Sequence, residues 1–432
     1  MSPHFVITLS PGRRPAVTPP HWQRAIADKF DAGAALSPAI AALLDRFSLP
    51  VWTTHEYRPA RRDWSDDERA SGLDRIYRLV LRQNRDIPVG LIDAIRLLPE
   101  VADARAGRVA ETPLPDSTPV AAALSSRGDD FARRAIGLPA ARRLGAGEGI
   151  TVAVIDTGVD LEHRNLKGAL DRGFDFVDLI DGQADFIGDK IGADEVPQDE
   201  VGHGTHVTGI IAAQGSGVPG GVAPQVRILP IRVLATMQRG EERVGAGLVE
   251  NINSGVKWAI DQGADIINMS LGVRHEGGGL PHREVIDYAA RKGVTIIAAA
   301  GNDGQEAFYY PGAFPSVIAV GAMGPDGAPS VFSTYGPQIS LIAPGEEILS
   351  TTVGGGVAHA SGTSHAAPFA AGAAALIQAY ARRRGGRFSP RALKRILTDS
   401  ADRIGTRLKD PHAGFGRLNI ADALRLADAR LT

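Results

Sequence analysis

The stretch GITVAVIDTG, residues 149 to 158, decides the fold. Between its glycines lies a nearly unbroken apolar run, dominated by β-branched side chains, that stops at Asp156. Alternation would leave one face wet, whereas a continuous run suits a strand buried on both faces in the centre of a parallel sheet. VRILPIRVLA (226 to 235), ADIINMSLG (264 to 272) and GVTIIAAAGN (293 to 302) repeat the theme. Helical stretches such as GLVENINSGVKWAIDQG, residues 247 to 263, separate them. Strands alternating with helices predict a doubly wound, mostly parallel α/β domain. In such sheets ligands gather at the carboxyl ends of the strands. The polar residues fall there: Asp156 ends one strand, Ser270 another and Asn302 a third.

Working outward, residues 112 to 130, TPLPDSTPVAAALSSRGDD, are rich in Pro, Ser and small residues and read as a linker. The elements before it are short. HFVITLS reads as a strand, SPAIAALLDRF as a helix and LPVWTTHEY as a strand. DRIYRLVLR follows as a strand, VGLIDAIRLL as a helix and EVADARAGRVA as a strand. The order βαββαβ is the split βαβ arrangement of a small α+β, ferredoxin-like domain. RPARRDWSDDERASG, residues 58 to 72, reads as a solvated, charged loop. The expected division is therefore 1–111, a linker at 112–130, and a larger domain at 131–432.

Composition narrows the chemistry. The 432 residues carry a net charge of −2 and are 44% hydrophobic, which gives no electrostatic case for nucleic acid. Cysteine is absent, so disulfides, thiolate catalysis and cysteine-based metal sites are excluded. No apolar run approaches a membrane span, and MSPHFVITLSPGRRPAV lacks the pattern of a signal peptide. The cytoplasm is the default expectation.

HASGTSHAAPFAAGAAALI, residues 359 to 377, places a hydroxyl, Ser364, before a helix of small residues with no charge, which predicts packing on all sides. Pro368 suits only a first turn, so the helix should begin near Ser364. Free N–H groups there favour developing negative charge. Taken alone, Thr363 or Ser364 could simply be an N-cap. HGTHVTGIIAA begins at His203, where an outward imidazole at a helix start can titrate near neutral pH. His206, three residues on, reads as a structural, hydrogen-bonded ring rather than half of a zinc site. Asp156 could orient an imidazole or form a turn, and Asn302 could donate to an oxyanion or form a turn. An Asp, a His, an Asn and a Ser at element ends in one α/β domain are hard to explain as four separate turn formers. Asp, His, Ser is moreover a known chain order for a catalytic triad.

From about residue 131 to 425 the chain resembles the subtilisin family of serine proteases, the subtilases. VAVIDTGVD, HGTHVTG, AAAGN and GTSHAAP match that family's Asp, His, Asn and Ser motifs in order. YPGAFPSVIAVGA, LIAPGEEILST and GFGRLNIADAL match its intervening and closing segments. The resemblance implies a serine endopeptidase with Ser364 as nucleophile, His203 as base and Asp156 orienting it. Asn302 would help bind the oxyanion. A polypeptide substrate would add as an extended strand to Ser270, Leu271 and Gly272 and to RVLATMQRG, residues 232 to 240, with Gly301, Asp303 and Tyr309 around its side-chain pocket. The family also implies that residues 1–111 form a propeptide that chaperones folding and inhibits its own active site.

Three departures from the family pattern stand out. His365 follows the nucleophile where the family commonly has Met. AAQGSGVPGGVAP is shorter than the calcium-binding counterpart and lacks a carboxylate, so neither calcium nor any other cofactor is assigned. GNDGQEAFYYPG is shortened, and Tyr309 is expected to fill part of the pocket floor. Asp199, Glu200, Asp303 and Glu306 suggest an acidic rim that attracts basic substrates. A peptide ligase on the same scaffold and a catalytically silent, peptide-binding relative are the other readings.

Overall fold

The computed structural model describes residues 4–24, 35–113, 118–119, 131–177, 193–239, 242–275 and 280–431. Its first sheet comprises β1 (His4–Leu9), β2 (Val51–His55), β3 (Ile76–Leu81) and β4 (Val101–Ala106), in the order β2-β3-β1-β4. All its pairings are antiparallel. Helices α1 (Pro38–Arg46) and α3 (Leu91–Arg96) complete the expected βαββαβ order, with a short α2 (Asp66–Ala70) between β2 and β3.

The period of two in β1 divides its side chains between two cores. Phe5, Ile7 and Leu9 pack with Ile40 and Leu44 of α1 and Leu91 and Ile95 of α3. Val6, with Tyr57, Leu73 and Ile76, belongs instead to the core of the larger domain. The expected last strand, 100 to 110, is two strands. After β4 the chain breaks at Gly107 and resumes as β5 (Val109–Pro113), which leaves the first sheet altogether. A side chain at Gly107 would collide with the His4 ring at 2.2 Å. Farther on, β6 (Thr118–Pro119) is also a strand. The stretch 112–130 is thus partly strand; its residues 114–117 and 120–130 lie outside the described residues.

The second sheet has seven strands: β7 (Thr151–Asp156), β8 (Phe174–Asp175), β9 (Arg227–Arg232), β12 (Ile266–Met269), β14 (Thr295–Ala299), β16 (Ile318–Met323) and β17 (Ile339–Pro344). Every pairing in it is parallel. The order β17-β16-β14-β12-β7-β9-β8 reverses direction between β7 and β12, which makes their carboxyl ends the topological switch point. Helices α4 (His203–Ala212) and α7 (Thr363–Arg383) pack on one face, together with α8 (Pro390–Asp399) and α9 (Ile420–Leu431). Helices α5 (Val249–Asp261) and α6 (Arg283–Lys292) cover the other.

The small domain docks on α5 and α6. Arg78 binds Glu56 at 2.7 Å and donates to Asn251 of α5 at 3.1 Å. Arg105 pairs with Glu284 of α6 at 2.8 Å, and the Tyr57 hydroxyl donates to the same carboxylate at 3.1 Å. The segment expected to be a solvated loop also takes part. Ser65 and Glu68 form a capping box that starts α2, and Glu68 is fully buried against Lys257 of α5 at 2.9 Å. Burying such charges is tolerable because each has its partner; removing one partner would leave an uncompensated buried charge. Among the described residues, no helix is long and apolar enough to cross a membrane.

Candidate active site

β7 ends at Asp156 and α4 begins at His203, and glycine lets the two meet. A Cβ on Gly204 would lie 2.1 Å from the Gly158 carbonyl and 3.2 Å from Asp156. The close approach puts His203 Nδ1 2.6 Å from Asp156 Oδ1. Thr157 N–H donates to the same oxygen at 2.8 Å, fixing the carboxylate. His203 is not outward-facing: the residue is only 4% exposed. Burial disfavours its charged form, but the charge and hydrogen bond of Asp156, with a further contribution from Asp199, hold its pKa above the ordinary histidine value.

Ser364 stands in the first turn of α7, after Gly362 in an extended conformation only glycine favours, φ 148°. From Thr363 to Ala379 the helix is buried all round, and a Cβ on Gly372 would strike Val222 at 2.4 Å. Pro368 sits in the second turn rather than the first. Its missing N–H leaves the Ser364 carbonyl free, and the Ser270 hydroxyl donates to that carbonyl at 2.7 Å. In return the Ser364 hydroxyl donates to the Ser270 carbonyl at 3.0 Å. His203 Nε2 has no hydrogen-bond partner among the described residues.

Asn302, at the turn after β14, accepts from Thr363 N–H at 2.8 Å and from the Thr363 hydroxyl at 2.9 Å through Oδ1. Its orientation is thereby set, with Nδ2 left as donor beside the start of α7. His206 donates through Nε2 to the Ala358 carbonyl at 3.0 Å, and burial pushes its pKa down to about 4. His365 lies between the other two imidazoles, its ring centroid 5.5 Å from that of His203 and 4.6 Å from that of His206. Burial holds it neutral, well below the usual histidine range.

The other predicted residues divide. Gly272 and Gly301 both abut the Tyr309 ring, to which added Cβ atoms would come within 3.3 Å and 2.6 Å. Tyr309 donates to Asp303 at 3.3 Å, and Arg274 pairs with Asp303 at the same distance. Leu271 points into the core, so only its backbone faces the cleft. Two expectations need correction. Asp199 is not on the rim: it is 1% exposed, whereas Glu200 and Glu306 are exposed. The chain that adds to the sheet edge pairs not with 232–240 but with β11 (Glu242–Leu248), behind which β10 (Ala235–Arg239) lies. β5 runs antiparallel along β11, Ala110 opposite Gly247 and Thr112 opposite Gly245. The alternating glycines of VGAG were the signal: a Cβ on Gly247 would meet the Val233 carbonyl at 2.1 Å. β6 then pairs with β19 (Gly356–Ala360), the strand that leads into Ser364; β18 (Ile348–Thr352) flanks it.

Residues 147–416 match the model of the subtilase family, Peptidase S8. The chain belongs to the subtilase family of subtilisin-like serine endopeptidases. It is 37% identical over 281 residues to the thermophilic serine proteinase of Bacillus sp. strain AK1, spanning 64% of this chain and 62% of that protein. Thermitase of Thermoactinomyces vulgaris is 36% identical over 268 residues, 62% of this chain and 86% of thermitase. The major intracellular serine protease of Bacillus subtilis is 41% identical over 240 residues, 54% of this subtilase and 70% of the relative. Among solved structures, a protease of Pseudoalteromonas arctica superposes with a TM-score of 0.58 at 28% identity, covering 68% of this chain and 94% of that one.

Proposed function

We propose that this subtilase hydrolyses peptide bonds through Asp156, His203 and Ser364 and is made as a self-inhibited, self-processing precursor. The observation that carries the reading is the 2.6 Å contact of Asp156 with His203 Nδ1, with Nε2 unpartnered and Ser364 in the first turn of α7. An extended polypeptide adds to β11 and to the backbone of Ser270, Leu271 and Gly272. Its scissile carbonyl sits between Ser364 Oγ and the donors Asn302 Nδ2 and Ser364 N–H. The Ser364 hydroxyl leaves the Ser270 carbonyl and passes its proton to His203 Nε2 as Oγ attacks. Asp156 holds the tautomer and stabilises the imidazolium. The oxyanion meets fixed donors at the positive end of α7. His203 returns its proton to the leaving amine, and water then repeats the sequence on the acyl-enzyme.

Self-inhibition draws support from β5, which pairs with β11, and from β6, which pairs with β19, the strand that leads into Ser364, while the small domain that precedes them packs on α5 and α6. A tethered strand in the cleft is held at high effective concentration. The catalytic domain is taken as 131–432, with no metal or other cofactor in the chemistry. The test is chemical. An organophosphonate should label Ser364 and abolish peptide hydrolysis, and Ala at Asp156, His203 or Ser364 should nearly abolish it too. Undiminished hydrolysis by Ser364→Ala would overturn the reading.

A further inference from the structure

Asp199 carries a buried carboxylate that the reaction just described does not use. Three of its donors reach Oδ1: the Thr157 hydroxyl, Val201 N–H and Gly202 N–H, each at 2.9 Å. Two reach Oδ2: Thr205 N–H at 2.9 Å and the Thr205 hydroxyl at 2.6 Å. All five partners are donors, so the ionised form satisfies every one of them. Burial nevertheless raises the Asp199 pKa above the ordinary aspartate value, against these hydrogen bonds.

The partners are not scattered. Thr157 is the residue after Asp156, and its N–H holds Asp156 Oδ1. The Thr157 hydroxyl also accepts from Gly204 N–H at 2.9 Å. Gly202 precedes α4 at φ 101° and has no side chain with which to cap the helix. Thr205 is in the first turn of α4, and its hydroxyl accepts from Asp160 N–H at 2.9 Å. One carboxylate therefore joins the end of the strand that carries Asp156 to the start of the helix that carries His203. It takes the place of the absent N-cap and sets a negative charge at the helix's positive end.

We propose that Asp199 is a positioning residue for catalysis, a clamp that sets the distance and angle between Asp156 and His203. The inference rests on the reading of His203 as the general base. The charged and titratable groups around the His203 ring are Asp156 and Asp199, both acidic, and the imidazoles of His206 and His365, both held neutral by burial. Asp199 thus acts in two ways. It fixes geometry, where a misplacement of about 1 Å costs on the order of 10²-fold in rate. It also adds a second anion that favours protonated His203.

The test uses the full chain with Asp199→Asn, which keeps the shape but turns an amide donor toward hydroxyl and N–H donors. The expected result is a fall in kcat of about 10²-fold with KM little changed. The acid limb of kcat/KM should move to lower pH, because one of the two anions that raise the His203 pKa is gone. In a His203→Ala background the same substitution should cost no further activity, since its effect passes through the imidazole. Wild-type kcat and an unmoved acid limb in Asp199→Asn would overturn the proposal, as would a further loss of activity in the His203→Ala background. If Asp199→Asn does not fold, Thr157→Val removes the strand end of the clamp but keeps the Asp199 charge, so kcat should fall with KM little changed and no loss of the electrostatic contribution to the acid limb; a wild-type kcat there counts equally against the proposal. A wild type that cleaves no peptide would defeat the base assignment itself, a result distinct from an active wild type matched by Asp199→Asn.

Discussion

At the scale of single residues, the proposed chemistry turns on side chains whose partners leave one atom free. Asn302 is the clearest. Two bonds from Thr363 hold Oδ1, so Nδ2 is aimed without any rearrangement during the reaction. Preorganised donors of this kind act on charge that exists only in the transition state. Asn302→Ala should therefore lower kcat by about 10²–10³-fold, the loss such a donor carries in subtilisin, and leave KM nearly unchanged. Steady-state kinetics on a short peptide checks this; a raised KM with unchanged kcat would mean that Asn302 binds ground state and transition state alike. Asp156, His203, Asn302 and Ser364 were legible in the sequence because each stands where a readable element starts or stops. Asp199 was misread as surface. Its burial depends on Thr157 and Thr205 arriving from two other elements, and no local periodicity reports that. The signal available was indirect: Gly202 before α4 cannot cap the helix, so another residue had to.

At the scale of elements, the parallel strands and their helices follow from apolar runs and helical periodicity, and these expectations hold. What pairs with what across the cleft does not follow. β10 and β11 form a hairpin, and β5 adds to β11 rather than to β10 within the segment 232–240. Ser65 and Glu68 stood at capping-box spacing in a segment read as loop, so α2 was within reach of the sequence. The two-stranded ribbon of β13 (Val273–Arg274) and β15 (Tyr309–Tyr310) bears on specificity. It lays the Tyr309 ring against both Gly272 and Gly301, the backbones proposed to border the pocket for the acyl-side residue. The account predicts cleavage after small residues. Tyr309→Ala should open the space and improve kcat/KM for large apolar residues at that position by about 10-fold or more, judged from the tens-fold value of a few methylenes in an apolar pocket. A peptide library profiled with both proteins decides it, and identical profiles would remove Tyr309 from the pocket.

At the scale of the whole molecule, a shared core and a charged interface make one arrangement out of a βαββαβ domain and a doubly wound sheet. Val6, Tyr57, Leu73 and Ile76 close the core over α5 and α6, while Glu56, Arg78, Arg105, Lys257 and Glu284 hold the contact through paired, buried charges. Sequence periodicity gave the order of strands and helices in both sheets but could not place one sheet on the other, since docking is a long-range property of complementary faces. Beyond that domain, β5 lies along β11 and β6 along β19, the strand that leads into the proposed nucleophile. A chain held next to a competent nucleophile should be cut by it. The most direct measurement is the intact mass of the purified wild type beside Ser364→Ala, both expressed from Met1. The account predicts two wild-type fragments, cut between Glu111 and Phe131, and a single unbroken chain for Ser364→Ala; an active wild type that stays whole from Met1, or equal cutting in the variant, would contradict it.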